Sequence, residues 1–122
     1  MTKATDARAR GAAVERAAAA WLAQRGLVLV AHNQYAKGGE LDLVMRDGDT
    51  LVFIEVKHRA DTRHGHPLEM VTASKQRRLI KAARFYLHRN GLSCPCRFDV
   101  VATTGHPPDL DFMWVQAAFE AF

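Results

Sequence analysis

The chain has 122 residues, 48% hydrophobic and 25% charged, proportions ordinary for a soluble protein of one domain. A chain of this size buries roughly two-thirds of its unfolded surface, which supports a core without disulfide staples, and no apolar run approaches the ~20 residues of a membrane span. The net charge of +4 and pI near 9.4 favour an acidic partner, nucleic acid first.

Asp6 to Arg25 reads as a helix, alanine-dominated, with Gly26 as its stop signal. Between Gly11 and Ala23 its only polar residues are Glu15 and Arg16. Glu15 shares a face with Gly11, Ala18, Ala19 and Leu22. Such a carboxylate either marks the helix edge or reaches inward to a site, and on its own the edge is favoured. The charged start, Met1 to Arg10, has no secretory pattern, and the expected location is the cytoplasm. Leu27 to His32 reads as a first strand and Asn33 to Gly39 as a loop carrying Lys37.

Two apolar strand-like runs follow, divided by Asp47-Gly48, a strong hairpin signal. A two-residue loop pairs Arg46 with Asp49 and sets Asp42 diagonal to Glu55. A four-residue loop pairs Arg46 with Leu51 and sets Asp42 opposite Glu55. Both place Asp42, Glu55 and Lys57 on one face; a three-residue loop would not. The other face, Leu41, Leu43, Met45, Val52, Ile54 and Val56, is apolar and should pack on a helix. Opposed side chains lie ~5 Å apart and diagonal ones ~7–8 Å, close enough to share a cation. Two carboxylates suit Mg²⁺, which takes oxygen ligands and keeps several waters, and the set lacks the thiols or imidazoles a zinc site favours. Lys57 could neutralise charge developing on a phosphate or position a water. The bland alternative is a salt bridge from Lys57 to Glu55 or Asp42, but three charges in so apolar a strand pair need a reason.

His58 to Met70, with Arg59, Arg63, His64, His66 and Pro67, reads as an exposed basic loop emerging from Lys57. Its histidines are expected to be solvated rather than metal-bound. Thr72 to Asn90 is the clearest amphipathic helix, capped by Thr72 or Ser74 and ended by Asn90-Gly91. Leu79, Ala82, Ala83, Tyr86 and Leu87 form its core stripe, and Arg77, Lys81, Arg84 and His88 a basic one. Lys75 falls in its first turn, where it could aim at the site or do nothing. Cys94 and Cys96 flank Pro95, too close for a useful disulfide, which fits a reducing cytosol; their spacing matches no standard zinc site. Cys96 to Thr103 is a strand with Arg97 and Asp99 on one face. Gly105 to Pro108 is a turn, Phe112 to Gln116 a short last strand, and Ala117 to Phe122 an apolar tail that must dock, on the domain or at a dimer contact.

Gly39-Glu-Leu-Asp42, Phe53-Ile-Glu-Val-Lys57, the leading helix with Glu15, Lys75 opening a second helix, and Arg97-Phe-Asp-Val100 together resemble the YraN family of bacterial proteins. That family belongs to the PD-(D/E)xK nuclease superfamily and is similar to archaeal Holliday junction resolvases. The resemblance runs from about Gly11 to about Val101. It implies that Asp42, Glu55 and the Val56 carbonyl are metal ligands and that Lys57 is catalytic. It also implies that Glu15 is the first-helix acid of the resolvase-like branch and that Lys75 lies near the phosphate. Leu41 stands where the superfamily name implies proline.

The expectation is therefore one α/β domain spanning residues 1–122. It has a mixed central sheet, a β-hairpin core and flanking helices, and is restriction-endonuclease-like. The expected activity is Mg²⁺- or Mn²⁺-dependent hydrolysis of DNA phosphodiesters, DNA ahead of RNA. Arg59, Arg63, Arg77, Arg78, Lys81 and Arg84 would contact the backbone. No membrane is involved, and the resolvase resemblance adds branched DNA and a homodimer. The alternatives are a nucleic-acid-binding module without turnover, within a DNA-processing or DNA-uptake assembly, and a protein-interaction adaptor.

Overall fold

The alanine-rich segment folds as helix α1, Lys3–Ala23. Gly26 (φ 100°) ends it in a left-handed turn that lets the Leu27 amide donate to the Leu22 carbonyl. The structure, a computed structural model, describes residues 3–36, 38–61, 63 and 71–121. After α1 come β1 (Val28–Ala36), β2 (Gly39–Asp47), β3 (Thr50–Arg59), α2 (Ala73–Arg89), β4 (Cys96–His106) and β5 (Asp109–Phe119). The five strands form one sheet in chain order, antiparallel except for β3 and β4, which run parallel with α2 between them in the chain.

The helices cover opposite faces of this mixed sheet. Ala18, Ala19 and Leu22 of α1 pack with Leu43, Met45, Val52, Ile54 and Val101. Leu79, Ala82, Ala83 and Tyr86 of α2 pack with Val44, Leu51, Phe53 and Phe98. Strand alternation delivers both sets, so the hairpin is apolar on its two faces rather than one. Leu41 corrects the sequence reading: it joins the α2 side, not the side of Leu43 and Met45. The alternation breaks at Asp42, opposite a stretch of β1 where Asn33 adopts φ 49°.

The hairpin takes the register in which Arg46 faces Leu51, closed by Asp47 facing Thr50 across Gly48 and Asp49. α2 starts as expected, with the Thr72 hydroxyl accepting from the Lys75 amide at 3.1 Å. Three boundaries differ. β1 runs through Asn33 to Ala36, where a loop was expected, because its polar residues lie along a solvated sheet edge. His58 and Arg59 belong to β3, not to the following loop. β4 and β5 run to a two-residue turn, so Ala117–Phe119 is strand, and Phe119 stacks on Phe98 with centroids 4.7 Å apart. His64, His66, Pro67 and Phe122 lie outside the described residues.

Candidate active site

The β2–β3 ladder stops at Leu43 facing Ile54. One step further, the Asp42 carboxylate takes over the role of a strand carbonyl, Oδ2 accepting from the Val56 amide at 2.9 Å. Register continues Asp42 toward Glu55, which is 5% exposed. Two lysines converge on Glu55 Oε1: Lys57 Nζ at 3.3 Å from the same strand and Lys75 Nζ at 3.6 Å from the first turn of α2. Glu55 Oε2 is buried and has no hydrogen-bond partner among the described residues.

Glu15 belongs to this cluster. From α1 its Oε1 accepts from Asn33 Nδ2 at 3.1 Å, and the same amide donates to Glu40 Oε1 at 3.0 Å. The inward reading of Glu15 therefore describes its position better than the helix edge. Asn33 and Glu40 were not singled out from the sequence. Asn33 lay in an expected loop, although Glu40 stands inside the quoted Gly39-Glu-Leu-Asp42 run.

Burial pushes the Asp42 carboxyl up to about 8, and the neighbouring Glu55 charge adds to this. The Val56 amide works the other way, and Glu15 and Glu40 raise it further. In the metal-free protein near neutral pH, Asp42 thus holds a proton a solvent-exposed aspartate would have released. Beside the cluster, the buried Thr103 hydroxyl donates to the Lys57 carbonyl at 3.2 Å and lies 2.8 Å from His58 Nδ1. One hydroxyl proton thus serves between the Lys57 carbonyl and the His58 ring. Burial lowers the His58 pKa, and His106 lowers it further.

Arg97 and Asp99 are structural. Asp99, fully buried, accepts from Arg97, from Trp114 Nε1 at 2.9 Å and from the Ala117 amide at 2.9 Å, while Arg97 also pairs with Asp47 at 2.8 Å. Of the expected backbone-contacting residues, Arg77, Arg78, Lys81 and Arg84 are exposed on α2, and Arg59 is half-buried at the end of β3. Arg63 is spent on Asp61, 2.8 Å away and two residues back. Cys94 and Cys96 are free thiols. Among the described residues no three His, Cys, Asp or Glu side chains gather into a metal-binding group, and no helix is long and apolar enough to cross a membrane.

These features define a mixed α/β protein whose polar centre is drawn from both helices and the end of the central hairpin. The chain belongs to the uncharacterised protein family UPF0102, the YraN family, whose profile matches residues 14–103. A UPF0102 protein of Chromohalobacter salexigens is 70% identical over 117 residues, covering 96% of this chain and 95% of its own. One from Xanthomonas euvesicatoria is 52% identical, covering 92% of each chain. One from Aeromonas hydrophila is 44% identical, covering 93% of this chain and 87% of its own.

Proposed function

We propose that this protein is a metal-dependent endonuclease of restriction-endonuclease-like fold that hydrolyses phosphodiester bonds in DNA, branched or structured DNA included. The observation that carries the reading is Glu55. A purely structural salt bridge accounts for Oε1, which has two lysines, but leaves a buried Oε2 without a partner among the described residues. An unsatisfied buried polar atom costs about 1–3 kcal/mol, more when charged. A cation beside Glu55 and Asp42 relieves that cost.

The donor set fits Mg²⁺ or Mn²⁺: carboxylate oxygens of Asp42 and Glu55, with the Val56 carbonyl as the third ligand, the rest of the shell being left to water and phosphate. When bound, the ion supplies charge stabilisation at the phosphoryl oxygen and an acidified water. Lys57 is held within reach by Glu55 and offsets charge developing on the phosphate. Lys75 does the same from α2. Glu15 acts through Asn33, keeping the acid wall in place. Arg77, Arg78, Lys81 and Arg84 take the DNA backbone, with Arg59 nearer the cluster. A homodimer would allow both strands of a duplex to be cut.

The test is cleavage of labelled branched, single-stranded and duplex DNA with Mg²⁺ or Mn²⁺, with Asp42→Ala and Glu55→Ala prepared identically. Cleavage by the wild type alone establishes the enzyme. Equal inactivity with retained DNA binding gives the function to a nucleic-acid-binding module instead. The feature that favours this second reading is α2, whose 17 residues include six lysines and arginines and no acid.

A further inference from the structure

Phe85 lies in the middle of that cationic helix and is 46% exposed. Lys81 and Arg89 are four residues to either side, so all three share one face. Tyr35, near the end of edge strand β1, is 73% exposed. The two rings line one cleft, together with Ala36, Leu41, Ala82 and Arg89. Gly38 and Gly39, where β2 begins, bring that strand close against α2. Gly39 sits so close to α2 that a Cβ there would stand 3.0 Å from the Arg78 carbonyl oxygen, and one on Gly38 would stand 3.7 Å from Lys81.

Neither ring is needed for the core, which the Leu79–Tyr86 side of α2 already supplies. Two exposed aromatics lining one cleft, among cations with no acid on the same helix, match the needs of unpaired nucleotides. The cations follow the backbone, and the rings present flat apolar faces to bases that have lost their own stacking. A base-paired duplex hides those faces. The charge of α2 also selects a polyanion over a neutral or basic protein segment.

We propose that the Tyr35–Phe85 cleft is a stacking platform for unpaired nucleotides of a DNA strand. The inference deepens the nucleic-acid reading above and rests on it for the class of ligand, though not on cleavage. Lys75, at the acid cluster, and Phe85 are ten residues apart on one helix, about 15 Å. A strand laid along α2 therefore joins the acids to the rings, and a substrate with an unpaired arm engages both.

The test is fluorescence anisotropy of labelled oligo-dT, oligo-rU and a mixed-sequence duplex, at low salt and in EDTA so that nothing is cut. Tyr35→Ala and Phe85→Ala, both at exposed positions, should each weaken single-strand binding about 5- to 100-fold while duplex binding stays within about two-fold. Tyr35→Phe and Phe85→Tyr, which keep a ring, should bind as the wild type does. Aromatic-dependent binding of either single strand supports the platform, and the tighter of oligo-dT and oligo-rU names the strand. Wild-type affinity in the alanine variants, an equal loss for duplex, or no single-strand binding by the wild type overturns it. A protein that never cuts DNA can satisfy this assay, and an active nuclease can fail it, so the two readings fall separately.

Discussion

Raising the pH of the metal-free protein from about 5 to about 7 should destabilise it, and Asp42 is the cause. Burial, reinforced by Glu55 and by Glu15 and Glu40 and partly opposed by the Val56 amide, lifts this carboxyl from 3.8 to about 8. The folded state keeps a proton that the unfolded chain has released. Stability from this group is thus fully present below the unfolded value and is lost as pH rises through the folded one. One proton corresponds to at most ~1.4 kcal/mol per pH unit, hence roughly 2–3 kcal/mol across that interval. For a domain of this size that is a fall in Tm of about 10 °C. The assay is thermal unfolding by circular dichroism in EDTA, with Asp42→Asn run in parallel. The asparagine side chain cannot ionise, and its amide oxygen can still accept from Val56. The difference between the two proteins isolates Asp42 from every other titrating group. Glu55→Gln should move the wild-type midpoint downward by removing the largest charge acting on Asp42. Parallel pH curves for wild type and Asp42→Asn, or a wild type that gains on Asp42→Asn as pH rises, would refute the reasoning.

Metal binding should displace the same proton. Calorimetry with Mg²⁺ in buffers of different ionisation enthalpy should show about one proton released near neutral pH, with affinity rising toward alkaline pH; a pH-independent affinity detaches Asp42 from the ion. Lys57→Ala should keep Mg²⁺ or Mn²⁺ binding while cleavage falls ~100-fold or more, and unchanged cleavage removes Lys57 from the chemistry. Asp99→Ala should lower stability by about 3–5 kcal/mol, because it strands Arg97, Trp114 Nε1 and the Ala117 amide together; differential scanning calorimetry showing little change in Tm would mean the network relaxes or fills with water.

The parts of the fold that local chemistry encodes were legible. The period and caps of α2, from Thr72 to Asn90, read directly, as did the hairpin around Gly48. The structure takes one of the two even loops, with Arg46 facing Leu51, but the ladder ends at Leu43 facing Ile54, so what brings Asp42 and Glu55 together is more than alternation. What failed depended on distant partners. β1 looked like a loop beyond His32 because His32, Asn33 and Gln34 are polar, yet an edge strand needs an apolar partner on only part of its surface. Leu41 was assigned by strict alternation, which a ladder break at Asp42 and a left-handed Asn33 overturn. Lys75 and Glu15 were placed near the site by family resemblance. In each case spacing along the chain left a bland alternative open.

The least legible feature is the charge balance of the site, because it exists only once both helices dock. Three carboxylates, Glu15, Glu40 and Glu55, act on a fourth, Asp42, and two lysines, Lys57 and Lys75, answer them through Glu55. Four negative charges against two positive leave two unmatched if every group ionises. The fold relieves part of that excess in three ways, two of them hydrogen bonds and the third a raised pKa. Asn33 donates to two of the acids at once, Val56 donates a backbone amide to a third, and Asp42 retains its proton. None of these reaches Glu55 Oε2. The divalent cation proposed above would add the two missing charges, let Asp42 ionise and give Oε2 a partner. A monovalent ion, or a third lysine in its place, would leave one of those charges unmatched. Both lysines hold Glu55 from two different elements, and on the proposed reading one could turn from Oε1 to a phosphate oxygen while the other keeps Glu55 paired.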